Sequence, residues 1–356
     1  METALNTDGP IKICCLLLPR FNGFALHGLL EPLRLANLVS RQRLYEIEYY
    51  SFDGATVVSS ADFEARCELP PERLDRNSLV LVLGGWGSEH YQNPRALSWL
   101  RLQARLGIRV CGVEIGAYTL ARAGLLNGRE ATTHWTYAPA FQEQFADVKV
   151  VEQLFTVSDT LLTCAGGAAG IDMMLNLISE QHRERLAGEI SDLLMHHPIR
   201  PAVTQQRMTL GRGTEKLPKP VRLAVDAMED HLSEPLSVPQ IAEKVGLSQR
   251  QLERQFTKAM GCSVVQFGLL LRLQHARVLL VSTGLSVREI ATASGFNSLS
   301  HFAYAFKKCF DAGPRDYRQS WSDGSDEPQW PGTLSLFLNP IEARRRVERQ
   351  AKEEGI

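Results

Sequence analysis

The chain has 356 residues and a formal net charge of -1, with 44% hydrophobic and 22% charged residues. This composition predicts a soluble globular protein of two or three domains, and it excludes both a disordered chain and one that is strongly basic throughout. The amino terminus is polar and no apolar run approaches a membrane span in length, so we expect neither a signal peptide nor membrane contact, and we predict a cytoplasmic location.

The seven cysteines show no Cys-x-x-Cys spacing, and several lie in apolar, strand-like runs. This pattern favours buried, reduced thiols over disulfides or metal ligands. Two glycine pairs, Gly84-Gly85 and Gly166-Gly167, lack the spacing of a dinucleotide or P-loop fingerprint. We therefore expect neither a metal nor a cofactor.

Residues 11 to 180 alternate short apolar runs with amphipathic segments. Such alternation predicts an α/β domain with a doubly wound, mostly parallel sheet, in which ligands bind at the carboxyl ends of the strands. The predicted strands cover 11–18, 47–52, 79–83, 109–113 and 161–164, and the predicted helices cover 26–39, 94–106, 116–123 and 170–178.

One of these strands runs directly into Gly116, Ala117 and a helix. The segment predicts a tight strand-to-helix turn with Glu114 at its tip, which is the geometry of a nucleophile elbow. Together with Gly84-Gly85 and Cys164-Ala165-Gly166-Gly167, this segment resembles the class I glutamine amidotransferase-like superfamily in its PfpI-type branch. The resemblance implies an amidotransferase-like, ligand-sensing domain at 11–197.

Enzymes of that superfamily carry a cysteine at the elbow, where this chain has Glu114. A carboxylate neither forms the thioester nor replaces the thiolate, so we predict no catalytic residue and no enzymatic activity. Cys111, three residues earlier in the strand, is the alternative nucleophile, although a cysteine within a strand is usually part of the core.

An acidic residue at the floor of such a cleft supplies a fixed negative charge, which the dipole of the following helix tolerates. Aromatic faces around a carboxylate suit an ammonium, quaternary amine or guanidinium group, so we predict a cationic amine effector such as arginine, carnitine or betaine. The predicted ligand-binding residues are Glu114, Trp86, Tyr118, His134 and Trp135. The resemblance matches His134 to the catalytic histidine of the superfamily; without the thiol we expect a hydrogen-bonding or structural role. In the alternative interpretation Glu114 only favours the first helical turn, and the aromatic residues pack in the core.

A helix with one apolar side is predicted at 181–197, and this side packs on its own domain or on a second subunit. Prolines and glycines then interrupt the segment 198–214, which has little periodicity. We interpret this segment as the interdomain linker.

The same helical pattern occurs twice between Leu236 and Phe306, about 49 residues apart. Each copy has the spacing of a helix-turn-helix motif, the unit that places a helix in the major groove of DNA. The buried positions are Ile241, Ala242, Leu252 and Phe256 in the first copy and Ile290, Ala291, Phe302 and Phe306 in the second; the turn glycines are Gly246 and Gly295, and the expected N-caps are Ser248 and Asn297.

The remaining positions of each second helix are free to contact DNA. Arginine pairs with guanine and glutamine with adenine, so the first copy is the richer in base readers. The predicted DNA-binding residues are Gln249, Arg250, Gln251, Arg254 and Lys258 in the first copy and Ser300, Tyr304, Lys307 and Lys308 in the second. In the alternative interpretation these are two amphipathic helical hairpins with solvated faces.

Residues 215–321 resemble the DNA-binding domain of the AraC/XylS family of bacterial transcription regulators. The resemblance is carried by Ser294-Gly295-Phe296-Asn297-Ser298-Leu299-Ser300-His301-Phe302, Phe306-Lys307-Lys308 and Gly313-Pro314-Arg315-Asp316-Tyr317-Arg318. It implies an all-α domain of seven helices, with a long connecting helix near 264–280 and two recognition helices in adjacent turns of the major groove. Tyr304 stands where the family often has an arginine, which weakens the expected base readout by the second copy.

The two domains together resemble the GlxA group of regulators, and this implies double-stranded DNA and RNA polymerase as partners and a homodimer as the functional form. We therefore predict a sequence-specific transcription regulator, an activator, that responds to a small-molecule effector. The alternatives are an active amidase or protease with an attached DNA-binding module, and a ligand-independent architectural DNA binder. The charged segment 322–356 is interpreted as a solvated, partly helical tail, or else as an accessory phosphate contact.

Overall fold

The computed structural model describes residues 9–206 and 217–322. The chain divides into two compact units, a first unit of residues 1–206 and a second unit of residues 207–356. The part of the predicted linker at 207–214 and the predicted tail beyond residue 322 lie outside the described residues.

The first unit is an α/β domain, as the alternating pattern predicts. Its strands are β1 (Ile11–Leu17), β2 (Tyr45–Tyr50), β3 (Thr56–Val58), β4 (Glu64–Arg66), β5 (Ser78–Leu83), β6 (Arg109–Val113), β7 (Glu130–Ala131), β8 (Lys149–Val150), β9 (Phe155–Ser158) and β10 (Leu161–Cys164). Its helices are α1 (Gly23–Ser40), α2 (Pro94–Arg105), α3 (Gly116–Arg122), α4 (Ala138–Gln144), α5 (Ala169–His182) and α6 (Glu184–Leu194).

The main sheet has six strands in the order β2-β1-β5-β6-β10-β9. All neighbouring pairs are parallel except the antiparallel edge strand β9. Successive side chains of a strand point to opposite faces: Ile13 and Cys15 of β1 pack with α1, α5 and α6, whereas Cys14 and Leu16 pack with α2 and α3. This two-sided burial explains why the strands are continuous apolar runs and confirms the predicted fold class.

The first unit extends beyond the predicted boundary at residue 197. The carboxylate of Asp172, which is fully buried in α5, accepts hydrogen bonds from the backbone N–H of Arg200 at 2.8 Å and from its guanidinium at 2.9 Å and 2.5 Å. Farther along, Leu154 N donates to Ala202 O and Thr204 O. Residues 198–206 therefore belong to the first unit, and our prediction that the linker begins at 198 is wrong because proline and glycine content does not report these long-range hydrogen bonds.

The second unit is helical. Its described part contains α7 (Lys219–Glu229), α8 (Val238–Lys244), α9 (Gln249–Met260), α10 (Val264–Ser282), α11 (Val287–Ala293), α12 (Leu299–Phe310) and α13 (Pro314–Ser322). The α8–α9 and α11–α12 pairs are the two predicted helix-turn-helix motifs. The predicted apolar positions of both pairs are buried, as expected.

The repeated Leu-Ser-Val sequence has a local physical cause. Ser237 and Ser286 are the N-caps of α8 and α11, and each forms a capping box with the residue three positions later, Gln240 or Glu289. Gly246 and Gly295 follow these helices with φ of 70° and 72°, a conformation that favours glycine.

The N-cap of the second recognition helix is one residue later than expected. Ser298, not Asn297, caps α12, and its hydroxyl accepts a hydrogen bond from His301 N at 3.3 Å. Both residue types are good N-caps, so the sequence alone did not fix the boundary to a single residue.

The connecting helix α10 joins the two motifs. Its segment Val264–Val281 is long and apolar enough to pass for a membrane span by length and composition, contrary to our expectation from the sequence. It packs against α7, α9, α11, α12 and α13. The guanidinium of Arg272 on α10 donates to Gly295 O at 2.9 Å and lies 4.8 Å from the ring centroid of Phe296. Helix α10 is therefore the core helix of the second unit.

Replacing Arg200 with alanine is expected to lower the free energy of unfolding of the first unit by about 2–3 kcal/mol, because the fully buried carboxylate of Asp172 loses its guanidinium partner. Chemical denaturation monitored by circular dichroism measures this loss. The control is Arg185→Ala, which removes an exposed pair with Glu189 and should change stability by less than about 0.5 kcal/mol. Equal effects of the two variants would contradict the anchoring role of Arg200.

Candidate functional site

The turn between β6 and α3 is the predicted elbow. Glu114 lies at its tip with φ of 56°, in the left-handed region. Helix α3 begins two residues later at Gly116, where a Cβ atom would lie 2.0 Å from Val82 O of the neighbouring strand. The strand can turn this sharply only because residue 116 has no side chain, so the local sequence determines where Glu114 is presented.

Only one of the two carboxylate oxygens of Glu114 has a hydrogen-bond partner among the described residues. Its Oε1 accepts a hydrogen bond from Asn22 Nδ2 at 3.1 Å, whereas Oε2 is buried and has no hydrogen-bond partner among the described residues. Burial raises the pKa of Glu114 to about 7, and the hydrogen bond from Asn22 opposes this shift. The elbow therefore carries an acidic group that titrates near neutrality and, among the described residues, has a free acceptor position.

Asn22 belongs to this site although the sequence did not indicate it. It is the N-cap of α1, and its Oδ1 accepts from Ala25 N at 3.1 Å while its amide nitrogen faces Glu114. The only sequence signal is its place soon after β1, at the same sheet edge as the elbow.

The opposite wall of the site is Gly166. A Cβ atom at this position would lie 2.8 Å from Glu114 Cβ, so only a glycine allows the backbone to approach the elbow side chain this closely.

The loop 132–136, here called the pocket loop, carries two of the predicted ligand residues. Thr133 Oγ1 donates to Glu114 O at 2.7 Å, which joins the loop to the elbow. His134 and Trp135 follow and are half-buried, with their ring centroids 5.8 Å apart. His134 Nδ1 lies 2.8 Å from Thr136 Oγ1, and burial lowers the pKa of His134 to about 4, so its ring is neutral at physiological pH.

The aromatic residues are arranged differently from our expectation. Tyr118 is fully buried, and its hydroxyl donates to Tyr137 O at 2.8 Å. The expectation that Tyr118 borders the cleft is wrong, because α3 turns this side chain into the core beneath the sheet. Trp86 is half-buried and packs edge-on against Tyr137, with the ring centroids 5.6 Å apart.

Tyr137 is a residue that the sequence did not reveal. Its side chain is buried, and in the part of the chain that the structure describes its hydroxyl has no hydrogen-bond partner. Burial raises its pKa well above the ordinary value, and the charges of Glu89 and Glu114 add to this shift. Tyr137 therefore supplies an unused hydrogen-bond donor in the neighbourhood of the elbow.

Cys111 lies in the core. It is fully buried, and its Sγ is 3.9 Å from Met173 Sδ of α5. Burial raises the pKa of the thiol well above its ordinary value, so the thiolate is disfavoured. Cys111 thus has neither the ionisation nor the solvent access that a nucleophile requires.

The second candidate site is the outer face of α9. Arg250, Arg254 and Lys258 are exposed and follow one another at intervals of four residues, opposite the buried Leu252 and Phe256. Across the described ranges 9–206 and 217–322, no carboxylate forms an ion pair with these three side chains. The face is a continuous row of available cations.

Two glutamines flank this row. Gln249 is exposed at the start of α9, as expected. Gln251 is exposed as well, but its Oε1 accepts from Ser248 N at 3.0 Å and from Ser248 Oγ at 2.9 Å. Because its oxygen serves the capping box of α9, Gln251 retains only its amide N–H groups for a partner.

The corresponding face of α12 is less polar. Tyr304 is 68% exposed, and Ser300, Lys307 and Lys308 are exposed on the same helix. Behind this face lies an aromatic core in which Phe302, Phe306 and Phe310 follow at intervals of four residues. The structure therefore presents a tyrosine and two lysines where the first motif presents two arginines.

Comparison with known proteins agrees with this division. A sequence profile described as a helix-turn-helix domain matches residues 241–320, and the DJ-1/PfpI family profile matches residues 14–180. The HTH-type transcriptional regulator GbdR of Pseudomonas aeruginosa is 35% identical over 350 residues, which cover 97% of this chain and 94% of GbdR. The chain belongs to the AraC-type regulators that carry a DJ-1/PfpI domain.

One further regulator and one solved structure are also similar to this chain. The HTH-type transcriptional regulator GlxA of Rhizobium meliloti is 35% identical over 90% of this chain and 99% of its own length. A crystal structure described as an AraC family transcriptional regulator from Pseudomonas putida is 24% identical, covers 52% of this chain and 100% of its own, and has a TM-score of 0.48. The protein is a DNA-binding transcription regulator with a PfpI-like sensing domain.

Replacing Glu114 with glutamine is expected to stabilise the ligand-free protein at pH 8 and to have little effect at pH 5. The folded-state pKa of about 7 lies above the ordinary value of 4.5, so wild-type stability falls as the pH rises through this window and the buried carboxylate ionises. Thermal melts at both pH values measure the difference. Glu143→Gln, at an exposed position of α4, is the control. A Glu114→Gln effect that is equal at pH 5 and pH 8 would contradict the raised pKa of Glu114.

Proposed function

We propose that the first unit binds a small cationic metabolite at Glu114 and that this binding regulates transcription through the second unit. The observation that carries the proposal is the buried Oε2 of Glu114, which has no hydrogen-bond partner in the described ranges. An ionised carboxylate in this position is unfavourable until a positive group or a hydrogen-bond donor reaches it. An ammonium or guanidinium group supplies both the charge and the donor, and a quaternary amine supplies the charge.

The neighbouring groups support this ligand class. Trp86 and Trp135 are half-buried aromatic residues on segments next to the elbow, and indole faces attract ammonium and guanidinium groups. The neutral ring of His134 adds no competing positive charge. The hydroxyl of Tyr137 is available to donate to an acceptor on the same metabolite. Arginine, carnitine and betaine have this combination of a cation and an acceptor.

We infer that the first unit is not an enzyme. Glu114 occupies the position of the nucleophile, and the thiol of Cys111 is buried against α5. The relatives described above are named transcriptional regulators. Amide or peptide hydrolysis by the wild type that disappears in Cys111→Ala would decide for the alternative, an active hydrolase with an attached DNA-binding domain.

For the second unit we propose unequal roles for the two motifs. Arg250 and Arg254 would read bases, with Gln249 and the amide of Gln251 beside them. Lys258 of the first motif and Ser300, Tyr304, Lys307 and Lys308 of the second would contact the phosphate backbone and fit the shape of the groove. The proposal includes a cytoplasmic homodimer that binds double-stranded DNA and activates transcription through RNA polymerase, as the sequence resemblance implies.

At least one of betaine, L-carnitine and L-arginine is expected to raise the melting temperature of the wild type. The increase should be larger at pH 8 than at pH 6. The pKa of about 7 means that the carboxylate is mostly protonated at pH 6, so the apparent affinity for a cation should rise on the order of tenfold between these values. Thermal-shift titration with each metabolite measures the effect.

Glu114→Gln should abolish this stabilisation, and Glu143→Gln, at an exposed position of α4, should retain it. The proposed ligand class fails if only anions or neutral acids stabilise the protein, or if Glu114→Gln retains the full effect of the cation.

The operator for this test is a sequence that the wild type selects from random DNA. Replacing Arg250 or Arg254 with alanine is expected to weaken binding to this operator by about tenfold to a hundredfold. Each substitution should also relax the sequence preference at one base pair. Lys258→Ala should instead weaken binding to all sequences and reduce the salt dependence. Quantitative footprinting measures both effects. Arg315→Ala on α13, which is exposed outside both motifs, is the control, and unchanged footprints with Arg250→Ala and Arg254→Ala would remove these residues as base readers.

A further inference from the structure

The side chain of Gln206 forms hydrogen bonds that join the end of the first unit to the pocket loop. Its Nε2 donates to Thr132 Oγ1 and Thr133 O, both at 2.8 Å, and to Gln153 O at 3.0 Å. Its Oε1 accepts from Trp135 N at 2.8 Å. A carboxamide has two N–H donors and one carbonyl acceptor, so the two N–H groups of Gln206 are shared among these three oxygens and its carbonyl is used as well. Most of these partners lie on the pocket loop. This fixes the position of residue 206 relative to that loop.

The same loop is joined to the candidate ligand site. Thr133 donates to Glu114 O at 2.7 Å, so two hydrogen bonds, Gln206 to Thr133 and Thr133 to Glu114, connect the elbow with residue 206. His134 lies between Thr133 and Trp135, whose backbone O and N both bind the side chain of Gln206. A ligand that contacts Glu114, His134 or Trp135 therefore acts on the groups that hold Gln206.

The position of Gln206 in the chain gives this contact its significance. Residue 206 is the last of the first unit, and the second unit begins at residue 207. The preceding residues are held as well, because Leu154 N donates to Ala202 O and Thr204 O. The covalent chain therefore leaves the first unit at the residue that is bonded to the pocket loop.

We propose that Gln206 is a positioning residue that couples occupancy of the Glu114 site to DNA binding. The inference rests on the proposed ligand function and states how occupancy of that site affects the second unit. A ligand shifts a protein between two states only when it binds them with different affinity. Here the states differ in the hydrogen bonds between Gln206 and residues 132–135, and the exit of the chain from the first unit changes with them.

The first test uses Gln206→Ala and Gln206→Met, with Gln205→Ala as the matched control, since Gln205 is the same residue type and its side chain is exposed. Methionine retains the length of the side chain without its hydrogen bonds. Betaine, L-carnitine and L-arginine are the probes. For each probe, thermal stabilisation and affinity for the selected operator are measured on the full chain.

The expected result is that a probe that binds the wild type still stabilises both Gln206 variants but no longer changes their affinity for the operator. Gln205→Ala should respond like the wild type. Retention of the full probe-induced change in operator affinity by Gln206→Ala and Gln206→Met would overturn the proposal.

The second test needs no ligand and therefore separates the coupling from the ligand class. Hydrogen exchange is measured at the Trp135 amide and at the amides of 202–206. Gln206→Ala should accelerate exchange at Trp135 by roughly tenfold, because this N–H loses its acceptor.

Thr133→Val removes the hydrogen bond from the Thr133 hydroxyl to Glu114 O. As a single substitution it should accelerate exchange at the amides of 202–206, and added to Gln206→Ala it should have no further effect. Independent, additive effects of the two substitutions would overturn the coupling. Failure of all three probes to bind, together with non-additive exchange, would reject the proposed ligand class and leave the coupling supported.

Discussion

The carboxylate of Glu114 lies at the strand-to-helix turn of the first unit, and one of its oxygens is buried without a hydrogen-bond partner among the described residues. Several features of the unit serve to hold it there. Gly116 lets the chain pass Val82, Gly166 lies against the side chain of Glu114, and Asn22 donates a hydrogen bond to Oε1. Strained backbone and unsatisfied polar groups of this kind persist only where the surrounding fold determines them, and they concentrate at functional sites.

The electrostatic consequence is that the carboxyl group of Glu114 is present in both its protonated and its ionised form near neutral pH. Burial raises the pKa of Glu114 to about 7, so small changes in its surroundings alter its charge at physiological pH. At the elbow, where the resemblance to the superfamily enzymes implies a nucleophile, this chain has a carboxylate whose Oε2 has no hydrogen-bond partner among the described residues. The pocket loop connects this group to Gln206, so the site and the exit of the chain share one hydrogen-bonded structure.

The DNA-binding unit combines two copies of one motif with different surfaces. The capping boxes and turn glycines are nearly equivalent in the two copies, whereas the outer faces carry two arginines in α9 and a tyrosine with two lysines in α12. Much of the signature that identifies the family is structural. Arg318, for example, donates to Leu280 O at 3.0 Å and to Leu285 O at 2.6 Å, and so fixes the end of α10 against the turn into α11.

The resemblance to the AraC/XylS family implied the seven helices of the described second unit. The sequence by itself determined the α/β fold of the first unit, the two helix-turn-helix motifs of the second unit, the elbow at Glu114 and the exposed rows of both recognition helices. These features are local: the apolar period distinguishes strand from helix, serine and glycine mark helix ends, and exposure follows from the position on the helix. The departure at Glu114 was equally visible, because one residue replaces another at a fixed point of a short motif.

Only the tertiary structure decided which side chains meet at the site. It placed Tyr118 in the core and Tyr137 near the elbow, brought Asn22 to Glu114 across 92 residues, and assigned 198–206 to the first unit. The direction of a side chain depends on how its helix packs against the sheet, and contacts between distant segments leave no periodic trace in the chain. Gln206 shows this most clearly, since nothing in its neighbours indicates that its amide closes on residues 132–135.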